Sequence, residues 1–147
     1  MELRSVTYEQ ALPLVSALSD ELMERYGGGE PSVAHPEQFL PPYGGFFVLT
    51  VDGADVACGG VRPLSEGIGE VKRMYVDPSA RGRGLSRVVL QGLVAFARSA
   101  GYRELWLETG VQQPEAMALY ESSGFAPIER YGQYKDDPRA RCYALTL

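Results

Sequence analysis

Residues 71–101 constrain the fold more than any other stretch. Val71 to Val76 has the length of one strand, and Asp77-Pro78-Ser79-Ala80-Arg81-Gly82-Arg83-Gly84 is a break of small and turn-forming residues. Directly after it, Leu85, Val88, Val89, Leu93, Phe96, Ala97 and Ala100 recur at helical spacing as far as Gly101. This spacing predicts a strand, a glycine loop and a helix in immediate succession. The next strand-like run, Glu104 to Thr109, then lies parallel to the first if the crossover is right-handed.

The flanking segments complete the sheet. Leu3 to Val6 reads as a short strand, and Thr7 and Gln10 have capping-box spacing ahead of Tyr8, Ala11, Leu12, Val15, Leu18, Leu22, Met23 and Tyr26, which share a helical period. Pro13 means that this helix starts late or bends, and Gly27-Gly28-Gly29 ends it. Residues 27–45, rich in Gly and Pro, predict a long mobile loop with one helical turn around Glu37 to Leu40. Phe46 to Val51, Asp52-Gly53 and Val56 to Arg62 predict a hairpin, because Asp-Gly supplies the positive φ of a tight turn. A loop from Ser65 to Gly69 precedes Val71. Beyond residue 109, Pro114 opens a short helix that Gly124 closes, and strands near Ala126 to Arg130 and Arg141 to Leu147 flank a polar loop. The predicted fold is α+β: a mixed, mostly antiparallel sheet with helices on both faces, in α/β/α layers.

At 147 residues the expectation is one domain over 1–147. The net charge of −5 argues against a sequence-independent nucleic-acid binder. The sequence contains no apolar run of membrane length, and the start lacks a signal-peptide layout, so no membrane partner and a cytoplasmic location are expected. Cys58 and Cys142 read as buried free thiols, and His35, the sole histidine, reads as an exposed loop residue. With one His no Cys/His zinc site closes, and no metal is expected. A homodimer is compatible with everything above.

Arg81-Gly82-Arg83-Gly84-Leu85-Ser86 is the most informative short stretch. Glycines at a helix mouth let backbone amides and the positive end of the helix dipole converge on an anion, and a phosphate suits that place. Gly-x-Gly before a helix also occurs merely to relieve strain, so the loop alone leaves ligand binding open. There is no Gly-Lys-Ser/Thr of a P-loop, and Arg87 stands where a dinucleotide fold has its third glycine.

The chain here resembles the GNAT superfamily of acyl-CoA-dependent N-acetyltransferases. Arg81, Gly84 and Ser86 match its Gln/Arg-x-x-Gly-x-Gly/Ala signature, with Ser86 in place of Gly/Ala. Residues 113–125, Gln113-Pro114-Glu115-Ala116-Met117-Ala118-Leu119-Tyr120-Glu121-Ser122-Ser123-Gly124-Phe125, match a second signature, with Gln113 in place of Asn. The resemblance implies acetyl-CoA as cosubstrate. It implies a cofactor site made by Met74, Tyr75 and Val76 along the pantetheine arm, by Arg81, Gly82, Arg83, Gly84, Leu85 and Ser86 around the pyrophosphate, and by Gln113. It also implies that Tyr120 is the general acid for the departing thiolate and that Glu70 is the base for the amine, with Glu108 on the neighbouring strand as the substitute.

The family's acceptor side corresponds here to residues 27–45 and 131–141. Glu30, Tyr43, Glu108, Tyr134 and Asp136 are the acceptor-binding residues expected there. Acidic and aromatic groups, taken with the charge of −5, favour a small cationic primary amine as acceptor. Two other readings stay open: acetylation of a protein lysine or N-terminus, and a CoA-responsive binding protein without turnover.

Overall fold

The computed structural model describes residues 1–27 and 34–147. In chain order these form β1 (Glu2–Val6), α1 (Leu12–Tyr26), β2 (Gly45–Val51), β3 (Ala54–Ser65), β4 (Ile68–Val76), α2 (Leu85–Ser99), β5 (Glu104–Gly110), α3 (Pro114–Ser122), β6 (Ala126–Ile128) and β7 (Ala140–Thr146). The strands build one seven-stranded sheet in the order β1-β2-β3-β4-β5-β7-β6, with β4 and β5 parallel and the other neighbouring pairs antiparallel.

Side chains alternate across a strand, so each strand feeds two cores. Leu49, Ala57, Val61, Val71, Leu105 and Leu107 pack under α2 and α3, against Leu85, Val89, Leu90, Leu93 and Tyr120. Phe46, Val48, Cys58 and Tyr75 face the other way, toward Leu14, Val15 and Leu18 of α1. The helices therefore cover both faces, as the alternation predicts.

Local chemistry accounts for most boundaries. The Thr7 and Gln10 side chains exchange hydrogen bonds with each other's amides, at 2.9 and 3.1 Å, and cap a 3-10 turn at Glu9–Ala11. The α-helix starts after that turn, with Pro13 in its first turn, where no amide partner is lost. Gly27 ends it in the left-handed conformation, φ 68°. Asp52 and Gly53, φ 51° and 81°, make the β2–β3 turn.

The structure corrects several expectations. The loop expected at 65–69 is a two-residue turn at Glu66-Gly67, so β3 and β4 are longer than predicted. β6 stops at Ile128 and β7 begins at Ala140. The predicted helical turn is a 3-10 turn at Pro36–Phe39. It is not loose: Phe39 is buried and stacks on Tyr8 at 5.1 Å, with Phe46 edge-on to both. The mobility expected for 28–33 lies outside the described residues. Cys58 and Cys142 are buried free thiols and His35 is exposed, as expected.

Candidate active site

The site begins with a failure of strand pairing. β4 and β5 are hydrogen-bonded only from Ile68↔Glu104 to Glu70↔Trp106, and beyond that point the two strands part. A bulge in β4 contributes: between Cys58↔Tyr75 and Gly60↔Lys72 the strand carries one residue more than β3, and Arg73 there takes φ 59°. A positive φ at arginine is uncommon, and nothing in the local sequence announces it. The parted edges frame a cavity of about 390 Å³. Val71 to Met74 line one wall and Leu107 to Gly110 the other, with the end of α1, Gln113, Tyr120 and the 133–139 loop around them.

Strand parity distributes the chemistry between the two faces. Leu105 and Leu107 point to α2 and α3, so Glu108 points to the α1 face, as Lys72 does between the inward-facing Val71 and the bulge. Burial pushes the Glu108 carboxyl up to about 7, with Asp137 and Glu70 adding to the rise and Lys72 opposing it. Burial also pulls the Lys72 ammonium down to about 8, with Glu70 and Glu108 resisting and Arg62 and Arg73 assisting. Lys72 Nζ donates to the Tyr134 hydroxyl at 2.7 Å. Tyr120 approaches from the opposite face, its hydroxyl 3.9 Å from Met74 Sδ. Burial raises that phenol well above its usual range, and Glu108 raises it further, so it stays protonated.

Glu70 occupies a different place from the one its candidate role requires. It is 2% exposed and absent from the cavity wall. Arg62 Nε donates to Glu70 Oε1 at 2.9 Å and the Tyr131 hydroxyl to Oε2 at 2.6 Å, while Arg62 Nη1 also reaches Gln38 Oε1 at 3.0 Å. Both carboxylate oxygens are thus engaged by protein donors. Its surroundings are those of a buried structural ion pair.

At the head of α2, Gly82 and Gly84 adopt φ 80° and 73°, and side chains there would meet open space. Conformation, rather than crowding, calls for glycine. No side chain caps α2, so its first amides point outward without an intrahelical partner, which suits a pyrophosphate. Leu85 offers only its backbone, since its side chain is buried in the core, and Ser86 is half-buried. Arg83 is exposed beside the loop. The Arg81 side chain turns the other way: it lies over the Tyr75 ring, donates to the Val76 carbonyl at 2.9 Å and pairs with Glu21 of α1 at 2.6 Å. Arg87 ties α2 to Ser122 and Ser123. Gln113 lines the cavity but donates to the Tyr26 hydroxyl at 3.3 Å. Tyr26 closes over Gly110, where any side chain would collide with its hydroxyl.

Of the expected acceptor residues, Glu108 and Tyr134 line the cavity. Tyr43 does not: it is exposed and packs on Tyr102. Asp136 is exposed outside the lining, and its neighbour Asp137 takes the place on the wall, paired with Arg139 at 3.3 Å. Glu30 lies outside the described residues. Sequence reasoning passed over Lys72 and Arg139. For Lys72 a signal existed, since it shares strand parity with Glu70 two positions away.

Comparison with known proteins agrees with this architecture. Among curated proteins, the IAA acetyltransferase of Azospirillum brasilense is 45% identical over 94 residues, covering 63% of this chain and 61% of that protein. The Escherichia coli protein named uncharacterized N-acetyltransferase YjgM is 35% identical over 94 residues, 62% of this chain and 56% of that one. The chain thus spans about 60% of the length of these relatives. Among solved structures, a Klebsiella pneumoniae protein assigned as an acyl-CoA N-acyltransferase superposes with a TM-score of 0.82 at 29% identity, over 99% of this chain and 97% of that one. A GNAT acetyltransferase from Elizabethkingia anophelis with acetyl-CoA bound shares the fold, with a TM-score of 0.69 at 15% identity, over 99% and 97% of the two chains. The sequence profile of the acetyltransferase (GNAT) family matches residues 15–125, from α1 through the glycine loop to the end of the second motif. The chain belongs to the GNAT acetyltransferase family.

Proposed function

We propose that residues 1–147 act as one N-acetyltransferase domain that moves an acetyl group from acetyl-CoA directly to a small primary amine. The observation that carries this reading is that Glu108 and Tyr120 line one cavity at the gap between β4 and β5, one from each face of the sheet. A donor thioester held from the α2 face and an amine entering from the α1 face meet in that gap. Acetyl-CoA supplies the activated acyl carbon. Gly82 to Ser86 hold its pyrophosphate, with Arg83 beside them, and the free edge of Met74 to Val76 takes its pantetheine arm as an added strand would be taken.

Glu108 accepts the proton of the ammonium, and a carboxyl titrating near 7 is matched to that task at neutral pH. The amine nitrogen then bonds the acyl carbon as the carbon–sulfur bond breaks, and Tyr120 gives its proton to the departing sulfur. The nitrogen's second proton, released as the amide forms, passes to the Tyr120 phenolate, and the proton on Glu108 leaves to solvent, restoring both groups. Direct transfer is favoured over an acyl-enzyme because both cysteines are buried and the Cys58 thiol is pushed up to about 12, leaving no thiolate nucleophile.

The test is thiol release from acetyl-CoA across a panel of small amines. Amine-dependent release is expected, and the protein mass should stay unchanged after incubation with acetyl-CoA alone. A stable acetylated protein would replace direct transfer by a two-step route. Tight CoA binding with no release for any amine would favour a binding protein.

A further inference from the structure

We propose that the acceptor amine carries its own carboxylate, so that the cavity takes a zwitterionic, amino-acid-type substrate; this narrows the acetyl-transfer reading and rests on it. Lys72 and Glu108 face the same cavity from its two walls. Among the described residues no ion pair joins them. Glu108 accepts no hydrogen bond from a described residue, and Lys72 donates one, to Tyr134. An ammonium has three donors, so both walls keep unspent capacity of opposite sign.

The remaining wall charges do not favour a polycation. Among the described lining residues other than Arg73, Lys72 and Arg139 stand against Glu108 and Asp137, and Asp137 is already matched by Arg139. A simple amine meets Glu108 but brings no anion of its own to the Lys72 ammonium, whose acidic neighbours Glu70 and Glu108 are then engaged by Arg62 and by the amine. A polyamine adds like charge beside Lys72. A zwitterion places its ammonium at Glu108 and its carboxylate at Lys72, and satisfies both. The overall charge of −5 does not override this, because exposed charges are screened within about 8 Å at physiological ionic strength.

The test compares thiol release for α-amino acids against their carboxamides, with spermidine as the polycation. The acid should exceed its amide by at least about tenfold in kcat/KM, the scale of one charge-assisted hydrogen bond, with spermidine poorest. Lys72→Met should bring the acid-to-amide ratio to about one. Because Lys72 is buried and its variant can fail to fold, Arg139→Gln provides a second reading at a side chain 46% exposed. It removes one cation and unpairs Asp137, and should narrow the ratio at least about threefold. An amide equal to its acid, a best rate with spermidine, or ratios unmoved in folded variants would overturn the proposal. Calorimetry of an N-acetyl amino acid and its N-acetyl carboxamide, titrated into CoA-saturated protein, separates the two levels of inference. If no amine releases thiol, acetyl transfer fails, yet a roughly tenfold preference for the acid in calorimetry upholds the charge inference, and equal binding overturns it.

Discussion

Three residues on two parallel strands carry unequal meanings although they are chemically alike or adjacent. Glu70, Lys72 and Glu108 all sit on the α1 face, but Glu70 is held by Arg62 and Tyr131, while Glu108 faces the cavity. Glu108→Gln should lower kcat/KM at least tenfold, since general-base assistance is worth about 100 to 10,000-fold and water recovers part of it. It should also remove the rising limb near pH 7 from the pH profile. The same residue yields a stability prediction. Its folded pKa of about 7 lies above the ordinary glutamate value of 4.5, so the native state binds the extra proton between those values, and stability falls as pH rises through that window. The Gln variant should therefore gain in melting temperature relative to wild type at pH 8 but not at pH 4. An equal difference at both pH values would mean that Glu108 titrates normally. Tyr120→Phe should lower kcat at least tenfold with CoA affinity nearly unchanged. Stopped assays and calorimetry on that variant separate an acid from a packing residue.

At the level of elements, the glycine loop and the bulge divide the labour. The loop presents amides at the head of α2, and the bulge helps part β4 from β5 where the cavity opens. Gly84→Ala should cost about 1–2 kcal/mol of stability, the strain of a left-handed non-glycine residue, with modest loss of CoA affinity. Gly84→Asp carries the same strain plus a negative charge against the pyrophosphate, and calorimetry should find CoA binding reduced far beyond the Ala variant. Equal affinities in the two would separate the loop from the phosphates. The loop is legible in the sequence because turn and helix-start chemistry is local. The bulge is not, because Arg73 takes its φ from the register imposed by β3 rather than from its own preference.

Across the whole molecule, Gln38, Arg62, Glu70 and Tyr131 join four separate segments behind the cavity. Glu70→Ala removes the carboxylate that both Arg62 and Tyr131 hold and should destabilise the protein by about 3–5 kcal/mol. The pH 7 limb of the reaction should survive in that variant wherever it remains folded. Replacing Glu70 and Arg62 together by apolar residues should recover much of the loss, because neither charge then has to be desolvated. Chemical denaturation of the single and double variants measures both effects. A Glu70→Ala variant of wild-type stability that has lost the limb would return the base role to Glu70.

The seven strands, three helices and the glycine loop are readable from periodicity, from Pro114 at a helix start and from glycines at Gly27, Gly84 and Gly124, because each signal acts within a few residues. The alternation of Leu105, Leu107 and Glu108 even implies which face the carboxylate takes. Tertiary structure alone decided which carboxylate is committed, because the partners of Glu70 lie 8 and 61 positions away in sequence. It also decided that Tyr43 and Asp136 miss the cavity while Lys72, Asp137 and Arg139 line it. Whole-chain charge speaks to solubility and long-range steering, but the sign that an acceptor meets is set by which side chains the strands bring together in a space of low dielectric.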